Sequence, residues 1–254
     1  MRKIVLAPLL DLSACLERLA EADHPFRRLL ISVVALIVTW FVYVPIHELL
    51  HVLGCVAAGG SVSELQIAPQ YGGTLLARWF DFVVPGGDYA GRLSGFDWKG
   101  SDVIYLATDF APYLLTVLIG VPMLKMCARR PRPLLLGAAI VIALAPFYNV
   151  IGDYFEMGSI VSTRGITIAS GSEAIVFASL RSDDVFKLIG TLVTEPATLR
   201  LADGKAVALA GVVILVSLLL AVFLAVCTYA LGDGFSRLVC PSAPAARGDP
   251  RTSK

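Results

Sequence analysis

Charged side chains are scarce in this chain: Asp, Glu, Lys and Arg make up only 16% of the 254 residues, whereas 57% are hydrophobic. Soluble globular domains carry about 25% charged residues. The formal net charge is +1, and no basic block with interleaved aromatic residues occurs, so nucleic acid is excluded as a partner. The composition predicts an integral, multi-pass membrane protein of the cell membrane, with the lipid bilayer as its surroundings.

Paired cysteines are also missing. The five Cys residues lie far apart and form no CxxC pair, so a disulfide framework is not predicted. Cys55, Cys127 and Cys227 are interpreted as small buried residues, because a free cysteine packs as a small hydrophobic side chain. Histidine is scarcer still, with three in the whole chain.

Long apolar stretches are what the sequence does have. A bilayer core of about 30 Å requires about 20 apolar residues in a helix. Four stretches meet or approach that length, at residues 29–58, 103–126, 134–152 and 206–231. The predicted fold class is therefore an all-α membrane protein with about four transmembrane helices.

The segments around these stretches have different compositions. Leu9, Leu12, Leu16 and Leu19 recur at helical spacing and predict an amphipathic interfacial helix, although a lipoprotein signal ending at Cys15 is an alternative. Glycine-rich residues 59–102 carry alternating runs at 61–67 and 78–84, which predict a short β-hairpin-like insertion. The predicted organisation is an interfacial segment 1–28, a three-span core 29–153, a small extramembrane segment 154–205, a last span 206–231 and a polar tail 232–254.

Basic residues near the span ends predict the orientation. Arg27 and Arg28 precede the first span, four Lys and Arg residues lie at 125–132, and Arg237 follows the last span. Positive residues favour the cytoplasmic side, so both termini are predicted inside.

The segment HELLH at 47–51 places two of the three histidines within the first apolar stretch. Residues four apart share a helix face, so His47 and His51 can direct their imidazoles at one point, with Glu48 beside them. An ionisable group inside a span raises the free energy by roughly 2–3 kcal/mol unless it meets a partner or water. A zinc ion would compensate these groups, and HExxH is typical of zinc sites in which the glutamate is the general base. The alternative is that the histidines hydrogen-bond other helices and Glu48 stays neutral.

A catalytic zinc site needs a third protein ligand and an open position. With the predicted orientation, Asp153 and Asp109 both lie at the depth of the histidines. Asp153 is preferred as the ligand, and Asp109 could instead accept a hydrogen bond from a ligand histidine. Glu156 and Glu64 are further alternatives, whereas Cys55 is disfavoured because a thiolate would make the site more closed.

Asn149 lies one helical turn before Asp153, where its amide could hold a substrate backbone or an oxyanion. The alternative is that it hydrogen-bonds another helix. Pro45 and Pro146 are expected to loosen the helices beside the site and to indicate a hydrated pocket.

Two segments resemble the site-2 protease family of intramembrane zinc metalloproteases: HELLHVLGCVAAGGSVSELQI at 47–67 and NVIGD at 149–153. The resemblance covers residues 29–153 and implies His47, His51 and Asp153 as zinc ligands and Glu48 as catalytic base. The chain departs from the family pattern because its asparagine is only four residues before the aspartate and glycine precedes that aspartate. Many family members place the metal nearer the cytosolic face, which disagrees with the orientation predicted from basic residues.

The sequence therefore predicts an enzyme, a zinc metalloendopeptidase with Zn²⁺ as cofactor. Its substrates would be membrane-embedded or membrane-proximal proteins, whose unwound segment could pair with strand 61–67 or 78–84. The alternatives are a non-proteolytic membrane protein that binds a metal for transport or sensing, and an inactive scaffold homologue. The sequence identifies neither a particular substrate nor a regulatory partner.

Overall fold

A computed structural model of the chain describes residues 2–170, 179–199 and 204–239. The protein is mostly helical, with a small three-stranded sheet. Within these described ranges, three helical stretches are long and apolar enough to cross a membrane: Pro25–Ala57, Asp102–Arg129 and Ala206–Val239. They correspond to the first, second and fourth predicted spans and support the membrane-protein prediction.

The elements of the described residues are named here in chain order. The helices are α1 Arg2–Val5, α2 Ala7–Ala20, α3 Pro25–Ala57, α4 Gly73–Leu76, α5 Asp102–Phe110, α6 Val121–Arg129, α7 Pro133–Ala143, α8 Ala145–Tyr148, α9 Asp153–Ser170, α10 Val185–Thr194 and α11 Gly204–Val239. The strands are β1 Ser61–Ile67, β2 Val83–Pro85 and β3 Gly91–Asp97. A 3₁₀ turn and a π-helical turn connect α5 to α6.

The third predicted span, 134–152, is not one long helix. It divides at Leu144 into α7 and α8, and neither is long enough to cross a bilayer, so the count of four spans is not confirmed. Pro146 has no N–H to donate to the carbonyl of Ile142 four residues earlier. The Thr116 hydroxyl donates to that carbonyl instead, at 2.7 Å, and the Tyr148 hydroxyl donates to the Val141 carbonyl at 2.9 Å. The loosening expected at Pro146 is therefore present, whereas α3 continues through Pro45.

The insertion after α3 is a sheet with strand order β2-β1-β3. The central strand β1 matches the predicted run 61–67 and pairs parallel with β2 and antiparallel with β3. The second predicted run, 78–84, is a strand only from Val83, and β3 was not predicted. A β-hairpin was therefore too simple a prediction for this insertion. Leu65, Ile67 and Val83 form a small core beneath the sheet.

Helix α9 packs along α11 at the start of the segment predicted to be extramembrane. Gly158 lies where an added Cβ would come within 2.3 Å of the Ser217 carbonyl oxygen, so the two backbones are in close contact. Ser162 and Ser217 hydrogen-bond at 2.7 Å, and the Tyr154 hydroxyl donates to Thr228 at 2.8 Å. Small residues and hydroxyl pairs of this kind join helices inside membranes. Composition alone did not indicate this helix pair.

Helix α2 is anchored to the bundle by one polar cluster. Lys125 Nζ lies 2.7 Å from carboxylate oxygens of both Asp11 and Asp233, and the Tyr229 hydroxyl donates to Asp11 at 2.7 Å. Cys15 is buried beside α6. The N-terminal segment is therefore a helix, as predicted, and its buried face packs on protein. In the predicted tail, residues 232–239 continue α11, and the rest lies outside the described residues.

Gly54 brings α3 and α5 together near the end of both helices. A Cβ at this position would lie 2.5 Å from the Ala107 carbonyl oxygen and 2.5 Å from the Ala111 Cβ. This close approach places the His51 ring against the backbone of α5, where the Thr108 carbonyl accepts its hydrogen bond.

We predict that Gly54→Ala lowers the free energy of unfolding by about 1–3 kcal/mol, because the added methyl group forces α3 and α5 apart. Gly165→Ala is the matched control, since nothing lies within 4 Å of its added Cβ. It should be neutral or stabilising by up to about 1 kcal/mol, because alanine is the better helix former. Chemical denaturation in detergent micelles measures both changes, and equal effects would contradict the close packing.

Candidate metal centre

The two histidines of the HELLH segment face the same point from successive turns of α3. His47 Nε2 and His51 Nε2 are 3.1 Å apart, and both side chains are about nine-tenths buried. Two neutral imidazoles at this distance can share only one proton between them. A cation between the two nitrogens would satisfy both lone pairs.

Asp153 completes the group from the first residue of α9. Its Oδ2 lies 3.2 Å from His47 Nε2 and 3.6 Å from His51 Nε2. The three ligand atoms lie within 4.8 Å of one another, which is a spacing that a single metal ion can bridge. The preferred sequence prediction is thus supported: His47, His51 and Asp153 form a group that can hold a metal ion.

Each of the three side chains is oriented by a further hydrogen bond. His51 Nδ1 donates to the Thr108 carbonyl at 2.8 Å, so its Nε2 presents a lone pair to the centre. His47 Nδ1 and the Tyr43 hydroxyl are 2.9 Å apart, and the Tyr113 hydroxyl donates to Asp153 Oδ2 at 2.5 Å. Metal ligands are commonly held in this way, and such partners fix the tautomer and the ring direction. The donor set therefore fits a metal ion.

Glu48 lies beside this group and under the edge of the sheet. An added Cβ on Gly91 would come within 2.3 Å of Glu48 Cγ and within 2.8 Å of Glu48 Oε1. Strand β3 can approach the glutamate this closely only because position 91 has no side chain.

A cavity of about 280 Å³ lies between the metal group and the sheet. Its lining includes all three candidate ligands and Glu48, together with Asn149 and Gly91. The three candidate ligands, the Glu48 side chain and a strand edge therefore meet in one cavity. Asn149 lies at the end of α8, and its role in holding a substrate stays a prediction.

The other candidate ligands lie outside the metal group. Asp109 and Glu156 line the cavity but do not join the three ligands, and Glu156 accepts a hydrogen bond from Tyr105. Glu64 is on the sheet, where hydrogen bonds from Ser94 and Gln66 lower the pKa of its exposed carboxyl. Cys55 is buried, with its thiol directed at the Ser61 carbonyl. The suggestion that Asp109 accepts a histidine N–H is wrong for His51, because the neighbouring Thr108 carbonyl takes that bond.

Sequence reasoning missed the residues that orient the ligands. Tyr43 lies four residues before His47, so helical spacing alone could have placed it on the same face. Tyr113 and the Thr108 carbonyl have no local signal, because they reach the site only when α5 packs against α3 and α9.

Comparison of the chain with known protein families, characterised proteins and solved structures found no match.

We predict that Asp153→Asn removes the bound metal, because a neutral amide binds divalent cations more weakly than a carboxylate. Asp109→Asn is the matched control, since it makes the same change in the same cavity outside the ligand group. It should keep a metal content close to that of the unmodified protein. Elemental analysis of the purified proteins distinguishes them, and metal loss in the Asp109 variant alone would overturn the assignment.

Proposed function

We propose that the protein is an integral membrane zinc metalloprotease that cleaves peptide bonds of membrane-embedded or membrane-proximal proteins. The observation that carries the proposal is that two histidines, an aspartate and an adjacent glutamate line one cavity at the edge of a small sheet. A membrane transport or sensing protein could use the same ligands, but it would not need Glu48 beside them.

Two histidines and one carboxylate are a ligand set typical of catalytic zinc sites with an open fourth position. A zinc ion held there supplies Lewis acidity, which polarises a carbonyl and makes water a stronger nucleophile at neutral pH. His47, His51 and Asp153 fix the position of the ion, and the partners Thr108, Tyr43 and Tyr113 limit their movement.

Glu48 serves as the general base in this proposal. It is next to His47 in the chain, and its carboxyl faces the same cavity as the ligands. It takes a proton from the attacking water and passes that proton to the nitrogen of the broken peptide bond. Asn149 lines the same cavity and is proposed to hold the substrate backbone or the developing oxyanion.

Strand β3 is the proposed docking edge for the substrate. The central strand β1 pairs with β3 along its length and with β2 only over Leu65–Ile67, so that part of the suggested run 61–67 has no free edge. The other suggested run, 78–84, is a strand only from Val83. Strand β3 is an edge of the described sheet, and alternate backbone groups of an edge strand are available for pairing. A substrate helix must unwind before cleavage, and pairing with β3 would hold the unwound segment beside Glu48.

The number of membrane crossings is also part of the proposal. We infer that α7 and α8 together form a fourth, interrupted crossing beside α3, in the cell membrane. Gly137 supports this arrangement, because an added Cβ there would lie 2.2 Å from the Ser32 carbonyl oxygen. An irregular backbone is tolerated at membrane depth when protein surrounds it.

We expect Glu48→Gln to abolish cleavage and to leave the zinc content unchanged. The variant removes the base, at a position outside the metal group. The measurement is proteolysis of single-span substrate proteins in lipid vesicles, with zinc determined on the same preparations. Equal cleavage by the variant and the unmodified protein would contradict the mechanism. Zinc binding without cleavage in the unmodified protein would favour the transport or sensing alternative.

A second prediction concerns the contact between β3 and Glu48. Gly91→Ala should lower kcat/KM by about tenfold or more without loss of zinc, because the methyl group displaces a carboxylate whose position matters to within about 1 Å. Gly95→Ala disturbs the same strand against Ser63 and Glu64 and not against Glu48, so it serves as the control. Equal losses in both variants would mean that strand integrity, not the position of Glu48, limits the reaction.

A further inference from the structure

The cavity carries a carboxylate that neither the metal group nor the proposed mechanism uses. Asp109 lines the cavity and is 5% exposed, and its Oδ2 has no hydrogen-bond partner among the described residues. A buried polar atom without a partner raises the free energy by about 1–3 kcal/mol, and a charged one by more. Such an atom calls for a physical explanation, and a bound partner is one of them.

No cationic side chain among the described residues is paired with Asp109. Arg92 is the one lysine or arginine of that part of the chain that lines the cavity, and its guanidinium lies 3.3 Å from the Asp183 carboxylate. Glu48 and Asp153 together would balance one divalent cation. That leaves Asp109 and Glu156, two carboxyl groups facing the same space without a cation.

Glu156 does not compensate Asp109, because it is itself an acid and accepts a hydrogen bond from the Tyr105 hydroxyl. A second metal site is not indicated, since the three-ligand group that the described residues form is His47, His51 and Asp153. The group that could pair with Asp109 is then a cationic side chain of a bound molecule, which enters through the cavity.

The cavity also offers apolar surface for such a side chain. Leu93 and Phe96 line it from strand β3, and the Phe96 ring packs against Tyr105 at 5.1 Å between centroids. Lysine and arginine side chains characteristically lay their methylene stems on apolar surface while the charged end reaches a polar partner.

The position of the site along the membrane-spanning helices agrees with a lysine or arginine side chain as the bound group. His51 lies six residues before the end of α3 at Ala57, and Asp109 lies seven residues after the start of α5 at Asp102. The site is therefore near one end of two candidate spans. Long Lys and Arg side chains are tolerated near the ends of membrane-spanning helices, where they can reach the interface.

We propose that Asp109, supported by Glu156, forms a subsite for a lysine or arginine side chain of the substrate, close to the cleaved bond. The proposal rests on the proteolytic function proposed above and names its substrate class: a membrane protein with a basic residue at the end of its span. Asp109 sets specificity in this arrangement and takes no part in the bond-breaking step.

The test is a binding measurement that does not require cleavage. Zinc-loaded Glu48→Gln protein in lipid nanodiscs is titrated with fluorescent single-span peptides, in which one lysine is moved over three positions on each side of the candidate cleavage site. Each peptide is paired with its acetyl-lysine counterpart, which keeps the stem and removes the charge. We expect the lysine peptide to bind about tenfold or more tightly at one or two positions, since a hydrogen bond to a charged group contributes about 1.5–3 kcal/mol.

Adding Asp109→Asn to the Glu48→Gln protein should reduce the ratio of the two affinities, lysine peptide over acetyl-lysine peptide, to about twofold or less. Asp109→Glu should restore part of it, which a purely structural role would not do. Asp81→Asn, an exposed carboxylate outside the cavity lining, should leave the ratio unchanged. The ratio compares two peptides on one preparation and therefore cancels differences in folding or zinc content.

Equal affinity for both peptides at every position would overturn the proposed subsite. An affinity ratio that Asp109→Asn leaves unchanged would also overturn it. A different measurement tests the proposed function. If unmodified, zinc-loaded protein leaves the tightly bound lysine peptide uncut, the proposed proteolytic function is wrong. Lysine-selective binding without cleavage would keep the subsite and remove the protease assignment.

Discussion

The convergence of two imidazole nitrogens and one carboxylate oxygen on a single point is the interaction on which the rest of the structure depends. His47 Nε2, His51 Nε2 and Asp153 Oδ2 lie 3.1–3.6 Å apart inside an apolar bundle. Groups of this kind are unfavourable in lipid unless a partner compensates them. A divalent cation would supply that compensation for all three at once, and the same cation would give Glu48 a chemical task.

The surrounding fold brings these atoms together from distant parts of the sequence. Gly54 allows α5 to approach α3, so that a backbone carbonyl of α5 can fix the His51 ring. The break at Leu144 ends α7 early and leaves room for the turn that delivers Asp153 to the start of α9. Gly91 lets the sheet edge reach Glu48. These features set the course of the backbone around the site and add no further reactive group.

The local patterns of the sequence predicted much of this site, and the long-range contacts were not predictable. Helical spacing was enough to place His47 and His51 on one face, and span lengths were enough to bring Asp153 to their level. Tyr113 gave no signal, because its hydroxyl reaches Asp153 through packing between helices 40 residues apart in the chain. The sequence predicted loosening at Pro146 but not the break at Leu144, because hydropathy does not register the Ile142 carbonyl that Pro146 leaves without a backbone donor. The start of α9 was assigned to a polar extramembrane segment because it contains Ser, Thr and Gly, but Gly158 and Ser162 pack against Ser217 of α11.

X-ray absorption spectroscopy of protein purified without chelator and without added metal is the most direct measurement of the metal centre. The account predicts about one zinc ion per chain, with two nitrogen neighbours at about 2.0–2.1 Å and carboxylate oxygen at about 2.0–2.2 Å. A sulfur neighbour at about 2.3 Å would bring a cysteine into the site and contradict the ligand set. Protein that carries no stoichiometric metal would contradict the account as a whole.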